Sequence, residues 1–381
     1  MPRPAFFAII PPMTTFSQRV PSVIDSHVHL WSLDGLENLQ ELRRHIGLGR
    51  MNIATIVNAA TGAGNGDALY AKAVGGGLFY AFGGLNHAAR LSGGKAATPP
   101  LDEQLDRLMA AGCDGMKLLE GKPTPIRDKL PEPLDGPYYA AFFAACERKD
   151  VPLLWHVADP EEFWDPATTP EWARRHNWGY GPQHVRKETL YAEVENVLAR
   201  HPRLRVVFAH LFFLSADLPR LAAFLARHPN VNVDLAPGVE MLFNMSRDPA
   251  ASRAFFIRHA ERIVFGTDIA DGNTAAQAAA RAGIVRDFLD LDRPFAVPAE
   301  ADELLEPGGP PRIRGLGLPD EVLARIYAGN FQRLAGQRPR PVDLKQAVEV
   351  AREQARIAAQ VSGKPADETM AGQAAAALAK L

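Results

Sequence analysis

The chain is poor in cysteine, in unbalanced charge and in long apolar runs, and each shortage removes a class of protein. Only Cys113 and Cys146 occur in 381 residues. Two cysteines in apolar surroundings make neither a disulfide framework nor a thiolate metal site, so a reducing cytoplasm is the expected location. Lys and Arg number 42 against 44 Asp and Glu. That balance offers no basic face to nucleic acid or to an anionic membrane. No apolar run approaches the roughly 20 residues of a membrane span. Residues 1–21 hold a short apolar stretch, Phe6-Phe7-Ala8-Ile9-Ile10, broken by Pro4, Pro11 and Pro12. With no small-residue cleavage site, this stretch reads as an irregular arm and not as a signal peptide. A glycine-rich phosphate turn after the first strand-like run is also missing, which argues against a doubly wound nucleotide-binding sheet.

What stands in that place is Asp25-Ser26-His27-Val28-His29. Side chains alternate along a strand, so two histidines one residue apart share a face. Two imidazoles on one face are half of a transition-metal site. Asp25 beside them is suited to fixing a turn or a ligand by a hydrogen bond.

Eight short apolar runs predict strands: 23–26, 53–58, 78–83, 114–119, 151–156, 204–210, 231–235 and 262–267. Their near-continuous apolarity is that of strands buried on both faces. Between them, 101–111, 187–201 and 217–228 carry apolar residues at three- and four-residue spacings, one helix face each. Strand and helix alternating eight times predict a closed (β/α)₈ TIM barrel. Residues 157–185 form a long insertion after the fifth strand, rich in aromatics: Trp164, Trp172, Trp178 and Tyr180. Residues 292–318 are rich in Pro and Gly, and an Ala-rich helical pattern closes the chain. The predicted organisation is an arm over 1–21, a barrel over 22–336 and a helical extension over 337–381. The extension packs on the barrel or on a second copy in a homo-oligomer.

The polar residues fall at strand ends. His27 and His29 end the first strand, the fourth carries Lys117 and is followed by Glu120, and His156 ends the fifth, His210 the sixth and Asp268 the eighth. In a barrel these ends converge on one mouth, where barrel enzymes place their chemistry. A His and Asp donor set suits Zn²⁺, with Mn²⁺ or Fe²⁺ as substitutes.

Several of these segments together resemble the amidohydrolase superfamily, in its amidohydrolase-related branch of lactonases and aminocarboxymuconate-semialdehyde-type decarboxylases. They are Val23–Trp31, Asp114–Leu118, Leu153–His156, Val206–His210, Ile263–Asp268 and Ile326–Arg333. The resemblance implies one divalent metal on His27, His29, His156 and Asp268. It implies His210 as the base, with Asp268 also moving protons. A divalent ion brings a bound water towards a pKa of ~7, and histidine titrates in that range. The reaction so implied is hydrolysis of a small carboxylate-bearing lactone, ester or amide by metal-activated water. Decarboxylation of an aromatic or unsaturated acid is the alternative within enzymes, and a ligand-binding barrel without turnover is the alternative outside them. Lys117 stands where binuclear superfamily members carry a bridging carboxylated lysine; here a free amine paired with Glu120 or a substrate acid is expected. Arg127 is a candidate for holding a substrate carboxylate. Trp164, Trp178 and Tyr180 are candidates for a lid over the substrate or for a subunit interface.

Overall fold

The computed structural model describes residues 22–381, so the arm expected over 1–21 lies outside the described residues. Nine parallel strands form one sheet: β1 (Ile24–His29), β2 (Arg50–Ala54), β3 (Phe79–Gly84), β4 (Gly115–Gly121), β5 (Leu153–Val157), β6 (Val206–Phe208), β7 (Val231–Asp234), β8 (Ile263–Val264) and β9 (Ile269–Ala270). Each strand pairs with its predecessor in sequence, except that β9 pairs with β1. β8 and β9 are two halves of the eighth strand, interrupted at residues 265–268. β8 pairs with β7, the Ser26 amide donates to the Phe265 carbonyl at 2.9 Å, and Ile269 lies opposite Val28. The sheet therefore closes on itself, and the fold is the (β/α)₈ barrel predicted from the eight apolar runs.

Alternation sorts the side chains of each strand. Leu153 and Trp155 of β5 face the outer helices, while Leu154 joins Ile24, Tyr80, Phe82, Val207 and Val264 inside the barrel. Phe331 packs among these inner side chains. β1 departs from strict alternation. Its register with β2 shifts between Asp25 and Val28, which inserts one residue and flips the phase. Ile24 therefore belongs to the inner cluster, and His27 and His29 line the cavity at the barrel mouth.

The predicted helices appear at Leu101–Ala111, Lys187–Arg200 and Leu218–Arg227. Two further helices, Leu344–Ser362 and Met370–Leu378, close the chain. They pack on the barrel, of the two surfaces expected. Gly66 of the helix Asn65–Val74 would place a Cβ 2.9 Å from Ala374 Cβ and 3.1 Å from Ala351 Cβ, so only glycine permits this approach. The Pro/Gly-rich stretch forms a small hairpin, Pro294–Phe295 against Ile313–Arg314. Among the described residues no helix is long and apolar enough to cross a membrane.

Candidate metal centre and cavity

The C-terminal strand ends surround a cavity of about 530 Å³ lined by His27, His29, Lys117, His156, His210 and Asp268. The donor atoms of His27, His29 and Asp268 lie within 4.8 Å of one another. Asp268 Oδ1 is 3.1 Å from His29 Nε2 and 3.7 Å from His27 Nε2. Each imidazole is oriented from behind. His27 Nδ1 donates to Asp234 Oδ2 at 2.8 Å, and His29 Nδ1 donates to the Ala54 carbonyl at 2.7 Å. A proton fixed on Nδ1 leaves a lone pair on Nε2, the tautomer a metal ligand needs. Burial, reinforced by the Lys117 charge, holds His27 well below the usual histidine range, so it is neutral. Burial works to raise Asp268, but the His29 ring 3.1 Å away and the neighbouring imidazoles outweigh it and hold the carboxyl well below its usual range. Two imidazoles anchored through Nδ1 and a carboxylate fit a divalent cation such as zinc.

A family model described as Amidohydrolase matches residues 24–336. The chain belongs to the amidohydrolase family. No curated protein sequence matches it. Among solved structures, this amidohydrolase is similar to 5-carboxyvanillate decarboxylase from Sphingomonas paucimobilis, at 12% identity over 82% of this chain and 98% of that one, TM-score 0.49. It is similar to a putative 2-pyrone-4,6-dicarboxylic acid hydrolase from Pseudomonas putida at 14% identity, 83% and 97% coverage, TM-score 0.45. A zinc-bound amidohydrolase from Burkholderia multivorans shares 15% identity, 82% and 99% coverage, TM-score 0.46. None of these likenesses bears on the reaction.

In this amidohydrolase His210 stands beside the cluster, its ring centroid 5.4 Å from that of His27 and 4.9 Å from that of His156. Its Nδ1 donates to the Ala236 carbonyl at 2.8 Å, so its Nε2 also carries a lone pair. His210 to Phe213 are four consecutive residues with φ between 49° and 55°, a left-handed turn that L-residues resist by roughly 1–2 kcal/mol each. Aromatic packing of Phe212 on Phe208, Tyr191 and Phe224 holds the turn in place. His156 lies outside the tight cluster. Its Nε2 is buried with no hydrogen-bond partner, 3.5 Å from Asp159 Oδ1, and burial depresses its basicity strongly.

Lys117 differs from expectation. Its Nζ donates to His27 Nε2 at 2.9 Å and not to Glu120, and burial lowers it to about 8. Glu120 is bound elsewhere, accepting from His87 Nε2 at 2.7 Å, and His87 Nδ1 lies 2.9 Å from the Tyr138 hydroxyl. Arg127 is held by a carboxylate of the protein itself. It forks onto Glu193 at 2.7 and 3.1 Å. Within the insertion, Trp164 donates to the Val185 carbonyl and packs at a tilt against Tyr180, whose hydroxyl donates to Asp159. These two side chains pack with Phe163 in the insertion's own small core, since large rings there have each other to bury against. Only the tip, His176, Asn177 and Trp178, reaches the cavity.

The sequence reading missed Asp234. This buried carboxylate ends β7, binds His27 Nδ1 and accepts the His210 amide at 2.7 Å. Its position, a carboxylate at the end of a barrel strand, was the available signal. Lys122, 4.2 Å over the Trp178 ring and bound to Asp159 at 2.6 Å, and the Arg281–Asp302 pair at 2.6 Å also line the cavity. Both cysteines are buried, and burial pushes the Cys113 thiol up to about 12, so neither is poised as a nucleophile.

Proposed function

We propose that this amidohydrolase hydrolyses a small carboxylate-bearing lactone, ester or amide. His27, His29 and Asp268 hold one divalent ion, zinc before Mn²⁺ or Fe²⁺, and His156 is the fourth ligand. The observation that carries the reading is the convergence of two Nδ1-anchored imidazoles and an ionised carboxylate next to a third anchored imidazole, His210. The unpartnered, buried Nε2 of His156 supports its place in the set. When bound, the ion supplies Lewis acidity towards a carbonyl oxygen and a water. His210 holds a bare Nε2 at the cavity and takes the proton of the attacking water. Asp268 borders the same cavity and is placed to move the water's second proton to the leaving group, while His210 releases the first to solvent. Lys117 presents an ammonium group in the same space and attracts the substrate acid. Trp178 and the insertion tip close one side and exclude bulk water.

The test is a panel of lactones, esters, amides and aromatic acids offered to zinc-loaded protein, with acid release and CO₂ release read in parallel. Acid release that chelation abolishes and zinc restores is the expected result. CO₂ release from an aromatic acid with no hydrolysis overturns the assignment in favour of decarboxylation.

A further inference from the structure

A second cavity of about 550 Å³ adjoins the first, and Trp31, Ile56 and Leu119 line both. Trp31 lies flat on His29, ring centroids 5.0 Å apart and planes at 12°, and is 45% exposed. It forms the step from the metal centre into the second space. Beyond it the walls are apolar side chains left half-buried: Val57, Leu91, Ile126, Val361 and Met370. Lys129, at the rim, is the single charged residue among the lining. A contiguous apolar hollow of this kind on a soluble protein marks a binding surface. Two of its walls, Val361 and Met370, come from the C-terminal helices, outside the segment matched by the family model. Those helices also hold the opposite wall. The Met370 amide donates to the Thr61 carbonyl at 3.0 Å, and Gly62 sits against Ala371 and Ala358 with no room for a Cβ. The extension thus adds to the barrel a compartment that continues the cavity of the metal centre.

We propose that this compartment receives an apolar alkyl or aryl arm of the substrate, whose acid-bearing head sits at His27, His29 and Asp268. The proposal rests on the hydrolytic reading above for the place of the head, and on the geometry of the second cavity for the arm. The probes are straight-chain carboxylates from butanoate to decanoate, titrated calorimetrically into zinc-loaded protein. Each methylene that enters the compartment should tighten binding about fourfold. Val361→Trp fills the space and Met370→Asp places a charge in it; in both, the gain per methylene should vanish while butanoate binds within twofold of wild type. Equal gains in wild type and both variants, or no gain in wild type, overturn the compartment. His27→Ala separates the two readings. Butanoate binding unchanged by His27→Ala, with chain-length dependence still removed by Val361→Trp, sinks the placement of the head and upholds the compartment.

Discussion

The two ends of the barrel bury charge in opposite ways. At the floor, where the strands begin, Asp114 accepts from Lys72, from the Ala81 amide at 2.9 Å and from the Arg340 amide at 2.7 Å. Lys72 also reaches the Gly112 carbonyl, and Asn330 donates to the Ala260 and Ile263 carbonyls at 2.7 Å each. At the mouth, His156 Nε2 has no hydrogen-bond partner and Lys117 donates to an imidazole, His27, instead of to a carboxylate. Among the described residues, nine non-glycine residues have positive φ, and six of them follow β5 or β6 or lie in the break of the eighth strand: Ala158, His210 to Phe213 and Asp268. Satisfied polar groups on relaxed backbone serve stability, whereas bare lone pairs on strained backbone are kept where a ligand completes them. The contrast locates function without reference to any relative.

The comparison is broken if a change at the mouth behaves like one at the floor. The largest effect is expected at the cluster: Asp268→Ala should take bound metal from one ion per chain to near none and abolish turnover, with the fold retained. Elemental analysis and circular dichroism check both halves, and full metal content in the variant would remove Asp268 from the ligands. Next, His210→Asn should keep the metal and lower kcat by roughly 10²–10⁴, the span of a general base. A matching loss of metal would make it a ligand instead. At the floor, Asp114→Ala leaves the Lys72 ammonium buried and unpaired, and should cost about 3–5 kcal/mol in urea unfolding while the metal stoichiometry of the folded protein stays the same. The smallest effect sharpens the backbone side of the argument. Ala158 has φ 67°, so Ala158→Gly should be neutral or stabilising within ~1 kcal/mol. The buried helical Ala145→Gly should instead cost ~1 kcal/mol or more. Equal losses at the two sites would show that the mouth backbone is not strained.

Strand existence was legible because parallel barrel strands, buried on both faces, write themselves as apolar runs. The strand-end positions of His27, His29, His156, His210 and Asp268 followed from the same runs. What the sequence concealed depends on direction within a layer. Glu120 and Lys117 lie three residues apart on one strand end, yet one turns to His87 and the other to His27. Arg127 looked free because Glu193 is 66 residues away, and no spacing rule pairs them. Asp234 was hidden by its isolation in Val-Asn-Val-Asp, a lone carboxylate in an unremarkable strand. The splitting of the eighth strand at Asp268 was also unreadable, since it follows from a left-handed residue and from the Thr267 amide donating to Asp25 at 3.1 Å.

That break in the eighth strand bears on how the protein is made. The contacts that seal the ring, Ser26 to Phe265 and Asp268 to the His27 carbonyl, are also the contacts that seat the carboxylate beside the imidazoles. Ring closure and assembly of the metal centre are therefore one event, between segments some 240 residues apart in the chain. Synthesis runs from the N-terminus, so a nascent chain carries His27 and His29 long before it carries Asp268. Until residue 268 has left the ribosome the chain holds only part of the proposed ligand set, so on that proposal acquisition of an ion follows completion of the barrel.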